Sequence, residues 1–269
     1  MRVLFIGDVV GRPGRRGLAA ILPDLRKELH LDVVVANGEN AANGRGLTLR
    51  TAKEMFNAGV DIISSGNHIW DQREIIEEMD GDRPILRPAN YPAGTPGRGM
   101  LRCKGLTVMN LQGRTFMANI DCPFRTADAL LAGGVEGPIL VDMHAEATSE
   151  KQAMGWYLDG RVAAVLGTHT HVPTADTRVL PRGTAYVTDA GFSGSRDSVL
   201  GFEVAASHRL FLTQMPTRLP VAEKCPTVVV NSVLVDIDDE TGHARSIERV
   251  DRQHTFADME GDDTGDTSD

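Results

Sequence analysis

The chain has 269 residues, of which 41% are hydrophobic and 24% charged, and its formal net charge is −9. This length suits one large domain or two small ones, with enough apolar residues to bury a substantial core. The negative charge disfavours non-specific binding to a nucleic-acid backbone, which needs a basic surface, and no apolar stretch approaches the roughly 20 residues that span a bilayer.

The N-terminal third of the chain alternates between strand and helix patterns. The predicted elements are, in order, strand 2–6, a helix from about Pro13 to Leu29, strand 32–36, a helix from Thr48 to about Gly59, strand 61–64 and a helix from Asp71 to about Met79. Thr48 is the expected cap of its helix, and Asp71 with Glu74 resembles a capping box. This alternation favours a parallel or mixed sheet covered by helices, so the predicted fold class is α/β.

The rest of the chain mixes strands with longer loops. The predicted elements are a loop over 81–100, paired strands 101–103 and 105–111, a short helix near 127–132, strand 138–142, a helix over 149–159 capped by Thr148, strands 162–166 and 184–188, a loop over 189–197, and a β-branched strand over 227–237 with a return strand over 244–250. From Asp258 onward the chain is acidic, with no Lys or Arg. We therefore expect a single domain over 1–257 and a flexible acidic tail over 258–269.

Cysteine usage and the N-terminus indicate the cellular setting. Cys103, Cys122 and Cys225 are odd in number and widely spaced, which disfavours both a disulfide framework and a structural zinc ribbon. The N-terminal apolar run ends at Gly7-Asp8 and is too short for the apolar region of a signal peptide. We therefore expect a cytoplasmic protein that does not bind membranes.

Side chains of the kinds that bind metals stand at the ends of five apolar runs. In an open α/β sheet the carboxyl ends of the strands form one edge, and ligands bind there. Carboxylate, carboxamide and imidazole groups are therefore expected to meet, and their repetition predicts a polynuclear metal centre. These residues are Asp8, Glu39, Asn40, Asn67, His68, His144, His169 and His171.

The residue types indicate how this set divides. Glu39 offers one oxygen to each of two metals, and Asn67 is a neutral ligand whose neighbour His68 faces the substrate. In an extended chain, His169 and His171 share a face and bind either one metal or two adjacent ones. The ligands outnumber those of a mononuclear zinc site and fit two metals about 3.5–4 Å apart. Mixed oxygen and nitrogen ligands suit iron, manganese or zinc without choosing among them.

Other polar residues near these motifs have simpler interpretations. Asn37 and Asn43 are expected in a surface turn. Phosphate contact, for which guanidinium geometry is suited, and plain solvent exposure are both open for four arginines, namely Arg12, Arg15, Arg16 and Arg196.

The order of these motifs resembles that of the calcineurin-like metallophosphoesterases: Gly-Asp, an acidic residue, Gly-Asn-His, a histidine and Gly-x-His-x-His. More closely, the segments 7–11, 37–42 and 66–71 resemble a bacterial subfamily of 2′,3′-cyclic-nucleotide 2′-phosphodiesterases. The resemblance covers about residues 1–252 and includes the downstream segment 197–201. It implies a four-layer sandwich with two mixed β-sheets flanked by helices, hydrolysis of a small nucleotide or phosphodiester substrate, and it allows a homo-oligomer.

The resemblance also implies roles for individual residues. One metal would be held by Asp8, Glu39, Asn40 and His171, and the other by Glu39, Asn67, His144 and His169. His68 would be the general acid. Val10 stands where the wider superfamily has a histidine ligand, and Asn40 would replace that histidine. Two irons are the metals that the subfamily implies, with manganese or zinc as alternatives.

Three other functions compete with this one. A non-catalytic regulatory protein that binds nucleotide and uses metals structurally is disfavoured, because His68 has no structural need. A phosphomonoesterase of the same fold stays open. A metal-dependent amidohydrolase of the barrel type is disfavoured, because its His-x-His pair normally comes early in the chain, whereas here it follows Gly-Asn-His.

Overall fold

Two mixed β-sheets pack face to face in the computed structural model, which describes residues 1–257. The predicted tail over 258–269 lies outside the described residues. In chain order the strands are β1 (Arg2–Ile6), β2 (Asp8–Val9), β3 (Val33–Asn37), β4 (Ile62–Ser64), β5 (Met100–Cys103), β6 (Leu106–Gln112), β7 (Ile139–His144), β8 (Ala164–Thr168), β9 (Arg178–Val179), β10 (Ala185–Val187), β11 (Phe192–Ser195), β12 (Thr227–Val230), β13 (Ser232–Ile237), β14 (Ala244–Arg249) and β15 (Arg252–Thr255).

Helices lie between these strands. They are α1 (Gly11–Glu28), α2 (Leu49–Ala58), α3 (Pro123–Ala132), α4 (Thr148–Leu158) and α5 (Val204–Thr213), with a 3₁₀ helix over Arg73–Glu78. Within residues 1–257, none of the helices has both the length and the apolar character that crossing a membrane requires.

Four layers form the body of the protein. The first large sheet has the strand order β14-β13-β1-β3-β4, and the second has the order β5-β6-β7-β8-β10-β9. Because side chains alternate across a strand, each sheet has two apolar faces. Residues such as Phe5 and Leu140 fill the space between the sheets. Leu22 of α1 packs on the outer face of the first sheet, and Met154 of α4 on that of the second. The predicted sandwich is confirmed.

A third, smaller sheet is absent from the sequence-based prediction. Its strand order is β15-β12-β11-β2. Strand β11 lies inside the segment 189–197, so the prediction of a loop there is wrong in part. The segment 227–237 is two strands rather than one, because the chain passes from the small sheet to the first large sheet at Asn231. Asn231 stabilises that step: its Oδ1 accepts from Phe192 N at 3.2 Å, and its Nδ2 donates to Asp251 Oδ1 at 3.2 Å.

The starts of the helices show where local patterns succeed and fail. Thr48 caps α2 as predicted, and its Oγ1 accepts from Thr51 N at 3.1 Å. Asp71 caps no helix, because the 3₁₀ helix begins after Gln72 without a side-chain cap. Thr148 is the first residue of α4 rather than its cap. Helix α5 has no counterpart among the predicted elements.

Candidate metal centre

The predicted ligands come together at the carboxyl ends of the parallel strands. Asp8, Glu39 and His144 are at most 1% exposed, so their polar atoms must find partners inside the protein. The ligands enter from different elements: Asp8 from β2, Glu39 and Asn40 after β3, Asn67 after β4, His144 at the end of β7, and His169 and His171 after β8.

Four of these residues, Glu39, Asn67, His144 and His169, form a cluster that we call the His144 group. His144 Nε2 lies 3.1 Å from Glu39 Oε1, 3.0 Å from Asn67 Oδ1 and 3.0 Å from His169 Nδ1. A single proton on His144 Nε2 cannot make hydrogen bonds to all three neighbouring atoms. A bound cation, by contrast, can accept a lone pair from each of the four atoms. Ligand atoms of Glu39, His144 and His169 lie within 4.8 Å of one another, so this donor set fits a bound metal ion.

We call the remaining predicted ligands, Asp8, Asn40 and His171, the Asp8 group. Asp8 Oδ2 accepts from His169 N at 3.0 Å, whereas Asp8 Oδ1 is buried without a hydrogen-bond partner among residues 1–257 and lies 3.8 Å from His171 Nε2. Asn40 Nδ2 donates to Gly44 O at 3.1 Å, and Asn40 Oδ1 is also buried without a partner in the described part of the chain. Two orphaned oxygens and an imidazole nitrogen are the donor types that a second cation would satisfy.

A buried relay determines where His144 carries its proton. Thr168 Oγ1 donates to Asp142 Oδ1 at 2.7 Å and therefore accepts from His144 Nδ1 at 2.9 Å. In the neutral ring, Nε2 then has its lone pair towards Glu39. Asn37 supports the relay by donating to Asp142 Oδ2 at 3.0 Å. Asn37 is completely buried, so its prediction as a surface-turn residue is wrong, because a buried carboxylate needs such donors.

The His-x-His pair does not share one face of an extended strand, as the sequence analysis expected. His169 has a φ of 97° and His171 a φ of 62°, which is left-handed backbone. Asp189 Oδ2 holds the residue between them, accepting from Thr170 N at 3.1 Å and from Thr170 Oγ1 at 2.8 Å. The two imidazoles therefore diverge, one to the His144 group and the other to the Asp8 group.

The outer nitrogens of this pair also have acceptors. His169 Nε2 lies 3.1 Å from Glu146 Oε2, and His171 Nδ1 donates to Leu200 O at 2.9 Å. Because the acceptors take the outer protons, the inner nitrogens are left with lone pairs for a metal. Leu200 lies in the segment 197–201 that shares the family resemblance, whereas no sequence pattern considered above marks Glu146.

The electrostatics of the His144 group favour metal binding with loss of a proton. Burial would raise the pKa of Glu39, but neighbouring histidines outweigh it and lower that pKa to about 2. Burial and the neighbouring His144 lower the pKa of His169 to about 3. Burial would lower the pKa of His144, but nearby carboxylates outweigh it and raise that pKa to about 9. At neutral pH only His144 of these three holds a proton that an incoming cation must displace.

His68 is set apart from both clusters. Its side chain is 25% exposed, and its Nδ1 lies 2.9 Å from Asp71 Oδ2. Because a carboxylate only accepts, Nδ1 carries the proton in that contact. The backbone N of His68 donates to Glu39 Oε2 at 3.0 Å, which ties the residue to the centre. Asp71, predicted to start a helix, orients His68 instead.

A cavity of about 290 Å³ opens over the centre. Among the described residues, Arg45 is the one arginine or lysine that lines it, and no sequence pattern considered above singled it out. Its neighbour Asn43 is exposed, as predicted. The lining residues are Glu39, Asn40, Gly44, Arg45, His68, Glu146, His169, Thr170, His171, Leu200 and Phe202.

The four arginines that the sequence left open do not line this cavity. Arg15 is buried and pairs with Glu54. Arg16 stacks over the Phe256 ring at 4.1 Å. Arg196 pairs with its neighbour Asp197 at 2.9 Å, and Arg12 is exposed. The positions of these four arginines therefore give no support to the interpretation that they contact phosphate at this cavity.

Comparisons with known proteins match nearly the whole described chain. A family model described as YmdB-like protein matches residues 4–250. The chain is 48% identical over 256 residues to the 2′,3′-cyclic-nucleotide 2′-phosphodiesterase of Bacillus subtilis (strain 168), covering 93% of this chain and 96% of that protein.

Two solved structures are also similar. The crystal structure of a hypothetical protein from Thermus thermophilus has a TM-score of 0.89 at 44% identity, covering 94% of this chain and 99% of that one. The structure of a novel phosphatase from Mycoplasma pneumoniae has a TM-score of 0.89 at 30% identity, covering 96% and 95%.

Proposed function

This chain belongs to the YmdB-like protein family of metallophosphoesterases, and from that premise we propose that it is a dinuclear phosphodiesterase that converts 2′,3′-cyclic nucleotides to 3′-phosphates. The observation that carries the proposal is that two sets of lone pairs lie close together, since Asp8 Oδ1 is 4.0 Å from His144 Nδ1. Asp8 Oδ1 and Asn40 Oδ1 are buried without partners among residues 1–257, and His144 Nε2 faces three donor atoms close by. The carboxylate of Glu39 would serve both metals.

The reaction would be an in-line displacement at phosphorus. Two bound metal ions would polarise the attacking water and neutralise charge on the phosphoryl oxygens. His68 donates a proton to O2′ of the ribose as the P–O2′ bond breaks, which leaves the 3′-phosphate. Asp71 holds Nδ1–H of His68 at 2.9 Å, so the proton that is transferred comes from Nε2.

The native metals are proposed to be two irons, with manganese or zinc as the alternatives. Imidazole, carboxamide and carboxylate donors suit all three ions. Metal analysis of protein purified without chelator distinguishes them directly.

Activity should depend on Glu39 and His68 in different ways. We expect Glu39→Gln to lose bound metal together with activity, because it removes a charged ligand. His68→Asn should keep its metal content and lose roughly 10²- to 10⁴-fold in kcat, the range of general acid catalysis. The measurement is turnover of 2′,3′-cyclic nucleotides, 3′,5′-cyclic nucleotides, phosphomonoesters and bis(p-nitrophenyl) phosphate, with metal content determined in parallel.

The matched control is His208→Asn, which changes an exposed histidine of α5 and should have wild-type activity. Full activity of Glu39→Gln or His68→Asn on bis(p-nitrophenyl) phosphate would refute the mechanism. Metal and nucleotide binding without any turnover would instead favour the non-catalytic regulatory protein.

Arg45 should contribute to binding of the anionic substrate. We expect Arg45→Ala to raise KM roughly 10- to 100-fold, the range for a charge-assisted hydrogen bond to phosphate, with Arg45→Lys in between. Steady-state kinetics on the preferred substrate measure this, with Arg12→Ala as the control on an exposed arginine outside the cavity. An unchanged KM in Arg45→Ala would place phosphate elsewhere in the cavity.

A phosphomonoesterase is the second candidate function. The similarity to a protein described as a phosphatase favours it, and the same donor set can hold a phosphomonoester. The substrate panel separates the two, because a phosphomonoesterase would turn over monoesters faster than cyclic diesters.

Three sequence-based predictions belong to this proposal: a single domain over 1–257, a cytoplasmic location and a homo-oligomer. Apolar side chains of α5 support the last of these, since Phe211 is 69% exposed and Leu212 is 84% exposed. Exposed apolar patches commonly mark a surface that a partner covers.

A further inference from the structure

The turn at residues 199–202 holds Leu200 in a backbone conformation that is unfavourable for leucine. Val199 N donates to Phe202 O at 2.9 Å, and Phe202 N donates to Val199 O at 2.9 Å, so Leu200 and Gly201 are the central pair of a tight hairpin turn. Their φ angles are 56° and 97°, as in a type I′ turn. Asn, Asp and Gly are preferred at such positions, because the Cβ of other residues crowds the following carbonyl in left-handed backbone.

Packing does not account for leucine at position 200. Its side chain is 42% exposed, and it belongs to none of the three apolar cores formed within residues 1–257. The turn packs against the rest of the protein at Gly201 instead, where an added Cβ would lie 2.6 Å from Val10 Cγ1. Leu200 does contribute its carbonyl, which accepts from His171 Nδ1 at 2.9 Å. Any residue supplies a carbonyl, so this contact does not require leucine either.

Leu200 is one of the residues that line the cavity over the candidate metal centre. In the part of the chain that the structure describes, Leu200 and Phe202 are the only apolar residues that line it, because the other lining residues are polar or glycine. The Phe202 ring lies against the chain at Gly44, where an added Cβ would be 2.8 Å from Phe202 Cε1. We call these two apolar lining residues of an otherwise polar cavity, Leu200 and Phe202, the apolar wall.

We propose that Leu200 is a specificity-determining residue, whose side chain packs with Phe202 against the organic group of the phosphodiester. For a cyclic nucleotide that group is the base, which has two apolar faces and fits a wall of this kind. The unfavourable backbone conformation of Leu200 is then explained by a role in substrate recognition, since strained residues often occur at binding sites. This inference rests on the proposed function, since it needs a phosphodiester bound at the centre.

Leu200→Asn tests the proposal. Asn has the same number and branching of side-chain heavy atoms as Leu, is favoured at this turn position and keeps the carbonyl that holds His171. The test compares adenosine 2′,3′-cyclic phosphate with 1-O-methylribose 2′,3′-cyclic phosphate, which lacks the base. We expect the ratio of their kcat/KM values to fall roughly five- to tenfold in the variant, while the Tm stays equal to or rises above that of the wild type.

A ratio that does not change in Leu200→Asn would overturn the proposal, because damage to His171 or the metals lowers both kcat/KM values together. Leu200→Met, which keeps an apolar side chain, should retain most of the wild-type ratio. A loss in Leu200→Met as large as that in Leu200→Asn would also count against an apolar wall.

Binding gives the same comparison without turnover. Calorimetry with adenosine 3′-phosphate and ribose 3-phosphate should show the base-dependent gain in affinity in the wild type and its loss in Leu200→Asn. If the wild type hydrolyses neither cyclic phosphate, the proposed function fails, and the binding ratio still decides the role of Leu200. If it hydrolyses both and Leu200→Asn leaves the ratio unchanged, only the role of Leu200 fails.

Discussion

We expect Gly66→Ala to lose bound metal and roughly 10²-fold or more of kcat/KM, the cost of displacing catalytic groups by about 1 Å. An added Cβ at residue 66 would lie 2.1 Å from His144 Cδ2, 2.2 Å from His144 Nε2 and 2.5 Å from Glu39 Oε2. Neither side chain can yield freely, since Thr168 holds the imidazole and His68 N donates to the carboxylate. The methyl group therefore displaces two of the proposed metal ligands at once.

Metal content and kcat/KM measure this effect, and circular dichroism checks that the fold remains. Gly133→Ala is the control, because Gly133 has an ordinary φ of −72° and an added Cβ would meet only Leu130 O at 3.2 Å among the described residues. Wild-type metal content and activity in Gly66→Ala would contradict the close approach of Gly66 to the ligands.

Lys151→Met should destabilise the whole protein by about 3–5 kcal/mol, the usual cost of removing one partner of a buried ion pair. Lys151 and Asp189 are both completely buried, and Lys151 Nζ lies 2.7 Å from Asp189 Oδ2. The loss is a large part of the roughly 5–15 kcal/mol that is typical of total stability. Asp189 also holds Thr170, between His169 and His171, so metal affinity should fall as well.

Urea denaturation of the metal-free protein measures the free energy of unfolding. Lys27→Met is the control, since Lys27 is 81% exposed and its contact with Asp24 is 3.6 Å long, which predicts a change within about 0.5 kcal/mol. The double variant Lys151→Met/Asp189→Asn should recover part of the loss, because it removes both charges. If Lys151→Met and Lys27→Met lose the same free energy of unfolding, the buried Lys151–Asp189 pair stabilises the protein no more than an exposed pair does.

Patterns local to the chain predicted the parts of the fold that depend on local physics. Alternating strands and helices indicated the layered α/β architecture, and Thr48 marked the start of α2. The strand ends also indicated which side chains would meet, because parallel strands have their carboxyl ends at one edge. His144 and His169 are far apart in sequence, and their rings are 4.7 Å apart.

Contacts between distant segments explain the failures. Asp71 has the residue type of a helix cap, but His68 is its partner. Asn37 has a residue type that is typical of surface turns, but its amide donates a hydrogen bond to the buried carboxylate of Asp142. Strand β11 escaped prediction because it has few apolar residues and pairs with β2 and β12, which come from elsewhere in the chain.

Periodicity and residue chemistry are properties of single segments, so the chain alone indicated the class of fold and the side chains proposed to bind metal. The family resemblance already implied how those side chains divide into the His144 and Asp8 groups. Which histidine nitrogen holds the proton, and the presence of Leu200 and Arg45 in the cavity lining, became visible only in the packed structure. Hydrogen-bond partners such as Thr168, Glu146 and Leu200 O act through distance and direction, which exist only once the sheets have packed.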